Sequence, residues 1–176
     1  MLLDLGTDKR NKLGGWVDSD FTSDPDSRKS MTRYLMSLNG GPISWKSSRQ
    51  GGVTLISSEA EFVESSQAGQ EVVYLRALFK GFGFSQKGPT EIWEDNASCI
   101  MMSENPTNRD RSRHVDGKVH FLSDLVRDGH VKLIKCEGTQ NVSDDLTKSL
   151  PRPAFEKHRE FMVGTRVPFS AFYECY

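Results

Sequence analysis

Three short segments in the first third of the chain alternate apolar and polar residues, and turn signals separate them. These predicted strands are Lys12–Phe21, Tyr34–Leu38 and Ile43–Lys46. In the first of them Trp16, Asp18 and Asp20 would share one face. The run Asn39–Pro42 is a hairpin signal between the second and third. The pattern predicts an antiparallel meander of three strands.

The hydrophobic period then changes from that of strands to that of helices. From about Ser58 to Phe79 the apolar stripe runs through Ala68, Val72 and Leu75. Later segments alternate between the two periods: strand Thr90–Asp95, helix Asn96–Ser103, a helix marked by Val115 to Val126, strand His130–Cys136 and helix Asn141–Ser149. We therefore predict an α/β fold with a mixed five-stranded sheet, in which helices flank the three-strand meander and two parallel strands.

Length and composition limit the number of domains and the classes of protein that this chain can belong to. The chain has 176 residues, with 23 Lys and Arg against 24 Asp and Glu, so net charge does not indicate a nucleic-acid binder. We expect a linker remnant over 1–11, one domain over 12–150 and a C-terminal tail over 151–176, because Pro151 and Pro153 should stop the last helix. No secretion signal, long apolar run or paired cysteine spacing is present, which predicts an intracellular protein with reduced thiols.

Glu61 lies on the side of the long helix that should meet the sheet, because the apolar stripe extends backwards from Ala68 to it. Glu59 and Glu64 lie off this stripe and should point away from the sheet, since each residue turns the helix by ~100°. A structural role for Glu61 is also open. With Ser58 it fits a capping box at the start of the helix.

Three further acids occupy positions that would face one end of the sheet. Asp18 lies within an otherwise apolar strand, where an acid is disfavoured unless the strand face is exposed. Asp95 ends a strand and precedes a helix, where it could serve as an N-cap. Asp144 lies in the first turn of the last helix, where it could complement the helix dipole.

Taken together, the four acids suggest a metal site. Strand ends and helix starts converge around one cleft in α/β sheets. Clustered carboxylates repel one another, and hard divalent cations such as Mg²⁺ relieve that repulsion. Two such ions ~4 Å apart can promote phosphodiester hydrolysis.

Six ordered sequence blocks carry a resemblance to a known family. They are Gly15–Phe21 with Asp24–Ser30, Gly41–Ser47, Ser57–Val63, Trp93–Ser98, Arg113–Asp116 with His120–Phe121, and Asn141–Lys148. In this order they resemble the ribonuclease H domain of copia-type retrotransposon Pol polyproteins. The resemblance covers roughly Leu13 to Leu150 and implies a ribonuclease H-like fold.

The resemblance also implies an activity and a set of site residues. It indicates an endoribonuclease that hydrolyses the RNA strand of RNA–DNA hybrids with water as the nucleophile, two Mg²⁺ or Mn²⁺ ions as cofactors, and an upstream reverse transcriptase domain as a partner. The implied catalytic residues and metal ligands are Asp18, Glu61, Asp95 and Asp144. Asp20 is a rival for the first position and Asp145 for the last.

A basic cluster inside the resemblance is the predicted substrate contact. Its members are Arg109, Arg111, Arg113, His114 and Lys118. Clustered cations of this kind bind phosphates. A solvated charged surface is the alternative, because Asp110 and Asp116 dilute the charge. Arg28, Lys29, Lys46 and Arg49 would extend the contact.

Several residues depart from the family pattern and leave other functions open. Arg33 stands where the family usually has a small residue, and Glu94 and Asp145 add negative charge near the predicted site. A catalytically weak or inert nucleic-acid-binding module from a decayed element is therefore the alternative function. A nuclease of the same fold with another reaction, such as an integrase or a junction resolvase, agrees less well with the ordered blocks.

Overall fold

A computed structural model describes residues 11–20, 31–49, 57–105, 113–138, 141–143 and 151–163. These residues form five strands and four helices: β1 (Leu13–Asp20), β2 (Met31–Leu38), β3 (Gly41–Arg49), α1 (Ser57–Gly81), β4 (Thr90–Glu94), α2 (Ala97–Glu104), α3 (Arg113–Arg127), β5 (Val131–Lys135) and α4 (Arg152–Val163). For residues 57–61 and 113–116 the description covers the backbone only. The predicted helix Asn141–Ser149 lies mostly outside the described residues.

The five strands form one mixed sheet in the order β3-β2-β1-β4-β5. The first three strands pair antiparallel, whereas β4 pairs parallel with both β1 and β5. The predicted fold class is therefore confirmed. β2 begins three residues earlier than predicted because Thr32 and Arg33, although polar, pair with both neighbouring strands.

The two faces of the sheet carry different cores. The helix face is covered by α1, α2 and α3, and its buried residues include Val17, Met36, Ile92, Val72 and Leu122. The opposite face, called here the tryptophan face, buries Trp16, Leu35, Trp93, Cys136 and Val142, with Met162 of α4 packed against them. Alternate residues of each strand supply the two cores, as the pleat of a β-strand requires.

The start of α1 is buried on more sides than a single apolar stripe predicts. All residues from Phe62 to Ser66 are buried. The expectation that Glu64 points away from the sheet was wrong, because Glu64 is fully buried and its Oε1 accepts a hydrogen bond from the backbone N–H of Arg33. A polar pattern on a helix does not reveal a burial that depends on hydrogen bonds to another element.

Helix α4 lies within the predicted C-terminal tail. Pro151 directly precedes α4, and Pro153 belongs to its first turn, where a residue without an N–H is tolerated. The two prolines therefore mark the start of a helix. α4 contacts β3, and its His158 is buried. Among the described helices, none is long and apolar enough to cross a membrane.

Gly15 lies where β1 leaves no space for a side chain. A Cβ there would meet the Met36 Sδ at 2.5 Å and the backbone oxygen of Leu35 at 2.9 Å. We predict that Gly15→Ala lowers the free energy of unfolding by about 1–3 kcal/mol, measured by urea denaturation. Gly117→Ala is the control, since a Cβ at Gly117 in α3 meets nothing within 4 Å. Equal stability of the Gly15→Ala variant and the wild type would contradict this packing.

Candidate active site

The parallel pairing of β1 with β4 aligns Asp18 with Asp95. Trp16 pairs with Trp93, and their rings stack with centroids 5.2 Å apart and planes inclined by 28°. Asp18 lies two residues further along β1, and Asp95 is the residue directly after β4. Continued by two residues, the same register would bring Asp18 and Asp95 side by side on the tryptophan face, because side chains alternate along a strand and adjacent strands lie about 4.8 Å apart.

Asp95 does not cap α2. The N-cap is Asn96, whose side-chain oxygen accepts hydrogen bonds from the backbone N–H groups of Ser98 at 2.9 Å and Cys99 at 3.1 Å. The Asp95 Oδ2 lies 3.4 Å from the position that a Cβ on Gly138 would occupy. The capping role that the sequence left open therefore belongs to the next residue.

Asp18 forms a buried ion pair with Arg33. The Arg33 Nη1 donates to the Asp18 Oδ2 at 2.9 Å, and the two side chains are 1% and 2% exposed. The residues are direct cross-strand partners in β1 and β2, so both project from the tryptophan face. A cation of the protein itself thus lies against the first predicted metal ligand.

Glu94 lies on the opposite face from Asp18 and Asp95. Its Oε2 accepts a hydrogen bond from the Ser65 hydroxyl at 2.7 Å, and its Oε1 accepts one from the backbone N–H of Asn96 at 3.1 Å. The side chain is fully buried. The extra acid noted in the sequence therefore joins β4 to α1 and to the start of α2.

α1 begins at the same end of the sheet as these acids. Ser65 meets the last residue of β4, and Glu61 lies one turn before Ser65 along the helix. A helical turn advances about 5.4 Å, which places the Glu61 backbone just beyond the strand ends. The Glu61 side chain is outside the described part, so its metal role stays a prediction.

Asn141 ties the segment before Asp144 to the central strand. Its buried Nδ2 donates to the backbone oxygen of Val17 at 2.7 Å, and its Oδ1 accepts from the Ser143 hydroxyl at 2.5 Å. Val17 directly precedes Asp18. Asp144 and its rival Asp145 lie outside the described residues, as does the side chain of Asp20.

Cys136 lies among the acids of both faces. The pKa of its thiol is raised to about 12, mainly by burial and then by the negative charges of Asp95, Glu94 and Asp18, while Lys135 lowers it. Negative charge from the ends of β1 and β4 therefore acts on a thiol that directly follows β5. Neither of the two described cysteines, Cys99 and Cys136, forms a disulfide.

The predicted substrate contacts are only partly described. Arg109 and Arg111 lie outside the described residues, and Arg113 and His114 open α3 with their backbones alone described. Lys118 lies in the second turn of α3, half-buried, and burial lowers its pKa. The basic cluster as a whole stays a prediction.

No group of three or more His, Cys, Asp and Glu side chains suited to a metal occurs among the described residues. Two of the four predicted ligands, Asp18 and Asp95, have described side chains. The register of β1 and β4 is compatible with these two acids meeting at one end of the sheet, and the site itself stays a prediction.

Comparison with known proteins identifies the family. No protein-family model matches the chain. The chain is 36% identical over 152 residues to the retrovirus-related Pol polyprotein from transposon TNT 1-94 of Nicotiana tabacum, which covers 86% of the chain. This chain is a ribonuclease H-like domain of the retrotransposon Pol type. The domain spans 11% of that polyprotein.

Solved structures of low identity share the fold of this ribonuclease H-like domain. LC11-RNase H1, isolated from compost by a metagenomic approach, matches with a TM-score of 0.58 at 12% identity, covering 84% of the domain and 97% of that chain. The same enzyme solved in complex with an RNA/DNA hybrid matches with a TM-score of 0.54 at 10% identity, covering 74% and 88%. The predicted family and fold are confirmed.

Two positioning residues were not recognised from the sequence. In the sequence, Ser65 lies between Glu61 and Ala68 on the backward extension of the apolar stripe, and Asn141 opens the last of the six blocks. Both act through long-range hydrogen bonds, to Glu94 and to Val17. A buried amide that follows a strand and precedes an acid was the available signal for Asn141.

We predict that Asn141→Ala lowers the free energy of unfolding by about 1–3 kcal/mol, because the Val17 oxygen and the Ser143 hydroxyl lose a buried partner. Ser123→Ala is the matched control, since the buried Ser123 hydroxyl has no hydrogen-bond partner among the described residues. Its stability should stay within about 0.5 kcal/mol of the wild type. Denaturation of both variants measures the difference, and equal losses would argue against the tether.

We further predict that Asp95→Asn lowers the pKa of Cys136, because a negative charge that disfavours the thiolate is removed. Burial, the larger cause, remains, so the pKa stays above its ordinary value. The pH profile of iodoacetamide alkylation at Cys136, followed by peptide mass spectrometry, should shift to lower pH. Asp124→Asn, at an exposed acid of α3 paired with Arg127, should leave it unchanged. An unshifted profile for Asp95→Asn would show that the Asp95 charge does not affect the pKa of Cys136.

Proposed function

We propose that this ribonuclease H-like domain is a divalent-metal-dependent endoribonuclease that hydrolyses the RNA strand of RNA–DNA hybrids. The observation that carries the proposal is the parallel register of β1 and β4, which stacks Trp16 on Trp93 and, continued by two residues, would bring Asp18 beside Asp95. Their placement on a ribonuclease H fold supports it. So does the hybrid bound to LC11-RNase H1, which shares that fold.

The donor set fits divalent cations. Asp18 and Asp95 offer carboxylate oxygens, which Mg²⁺ and Mn²⁺ prefer. Asp95 is not used as a helix cap. Together with Glu61 and Asp144, as predicted from the sequence, they would hold two ions. The chemistry that two bound divalent cations supply in such sites is activation of a water molecule and stabilisation of the leaving oxygen.

The surrounding residues fix the carboxylates in place. The stacked Trp16 and Trp93 form a rigid apolar floor before the two acids, and each is less than a tenth exposed. Lys135 donates to the backbone oxygen of Asp95, and Asn141 holds the segment that leads to Asp144 against β1. Such support lets the acids meet a phosphate without reorganising.

The substrate would be bound mainly through its phosphates. The basic cluster predicted from the sequence precedes and opens α3, and Lys118 belongs to it. Clustered cations bind a nucleic-acid backbone, and 2′-hydroxyl contacts would select the RNA strand. The domain spans a small part of the Pol polyproteins that it resembles. We therefore propose that it acts inside the cell with an upstream reverse transcriptase domain.

Cleavage of a labelled RNA–DNA hybrid tests this function. We predict that the domain cuts only the RNA strand, and only when Mg²⁺ or Mn²⁺ is added. Asp95→Asn should slow cleavage by about a hundredfold or more, because a metal ligand is lost. Glu91→Gln is the control, since Glu91 pairs with Lys12 at the other end of β4. Equal rates for the wild type and Asp95→Asn would remove Asp95 from the reaction.

The buried pair of Asp18 and Arg33 favours a second candidate, a hybrid-binding module with little or no catalytic activity. Hybrid binding and hybrid cleavage separate the two candidates. Fluorescence anisotropy of a labelled hybrid measures binding in the absence of cleavage. Salt-dependent binding with no cleavage at any Mn²⁺ concentration would support the inert module over the nuclease.

A further inference from the structure

Arg33 occupies a special place in the candidate active site. It lies on β2 directly opposite Asp18, and its guanidinium bonds the Asp18 carboxylate at 2.9 Å. The position carries a small residue in the family pattern described above. A large cation has therefore been placed beside an acid that the proposed function assigns to metal binding.

The cation is held firmly in the interior. Arg33 is fully buried. Its backbone N–H donates to the Glu64 carboxylate of α1, while its side chain bonds Asp18 on the tryptophan face. Arg33 thus forms hydrogen bonds on both faces of the sheet, to Glu64 and to Asp18. A guanidinium also keeps its charge under all ordinary conditions, so neither a change of pH nor a simple rotation to solvent removes it.

A metal ion on Asp18 would lie close to this charge. Mg²⁺ binds carboxylate oxygens at about 2.1 Å. An ion on the oxygen that Arg33 bonds would lie within about 5 Å of the Arg33 Nη1, given their 2.9 Å contact. Repulsion between like charges at that distance is strong in a buried site. The negative charge that attracts the metal is also already balanced.

We propose that Arg33 is a built-in counter-ion of Asp18 that competes with divalent cations and keeps the metal affinity of this domain low. The proposal rests on the proposed function only in taking Asp18 as a metal ligand. Arg33 also stabilises the metal-free fold, because a buried carboxylate without a partner would be costly. This role predicts that the domain folds without a metal ion at Asp18.

The test measures Mn²⁺ binding to the full chain without nucleic acid, by electron paramagnetic resonance. Arg33→Gln keeps a polar chain of similar length but removes the charge, and Arg33→Ala removes both. We expect each variant to bind Mn²⁺ about tenfold or more tightly than the wild type, a change of about 1.4 kcal/mol. Mn²⁺ should also raise the Tm of these variants more than that of the wild type.

Two controls isolate the effect. Arg76→Gln makes the same chemical change at the other end of the sheet, where Arg76 bonds the Gly88 oxygen and the Thr90 hydroxyl. It should leave Mn²⁺ binding unchanged. Adding Asp18→Asn to Arg33→Gln should abolish the gain, because the freed carboxylate is lost.

Mn²⁺ binding no tighter in Arg33→Gln and Arg33→Ala than in the wild type would overturn the proposal. If neither variant folds, even with Mn²⁺, the affinity of the wild type for Mn²⁺ tests the proposal instead. A submillimolar Mn²⁺ site that Asp18→Asn abolishes would overturn the proposal, and the absence of such a site would support it.

Cleavage assays keep the two proposals apart. An Arg33→Gln variant that binds Mn²⁺ tightly but leaves the hybrid intact would argue against the nuclease function and support the counter-ion role. Rapid cleavage by the wild type at low Mn²⁺, with no tighter metal binding in the variants, would support the nuclease function and overturn the counter-ion role.

Discussion

A carboxylate buried in a sheet needs a partner for its charge, and Asp18 has one in Arg33. The pair joins β1 and β2, the first two strands of the antiparallel meander, at the end of the sheet where the candidate site lies. It stabilises the fold and occupies a group that catalysis would need. If Asp18 binds metal as proposed, stability and metal binding depend on the same carboxylate, and a gain in one opposes the other.

The parallel pairing of β1 with β4 gives the site its shape. It stacks Trp16 on Trp93 and carries the next acids of both strands to the same edge. Acids of the other face have a separate role, because Glu94 bonds Ser65 of α1. The alternation of side chains thus divides neighbouring residues between chemistry and structure, as Asp95 and Glu94 illustrate.

The sequence was enough to predict the mixed sheet, since the strand and helix periods are local signals. It also placed Asp18 and Asp95 at strand positions that the sheet brings together. The buried position of Glu64, the helix α4 and the partner of Asp18 were not predicted. The first and last depend on contacts between residues distant in sequence, which neither hydrophobic period nor turn chemistry encodes. Helix α4 was missed because Pro151 and Pro153 were expected to end a helix, whereas they mark the start of one. The sequence marked Arg33 only as a departure from the family pattern and did not indicate that it pairs with Asp18.

A double-mutant cycle on Asp18 and Arg33 tests the central claim most directly. The free energy of unfolding is measured for the wild type, Asp18→Asn, Arg33→Gln and the double variant. Each single change should cost about 3–5 kcal/mol, because it leaves a buried charge without its partner. The double variant should lose less than the sum, by about 2 kcal/mol or more. Losses that add to within about 0.5 kcal/mol would show that the two charges do not depend on each other, and would contradict the account.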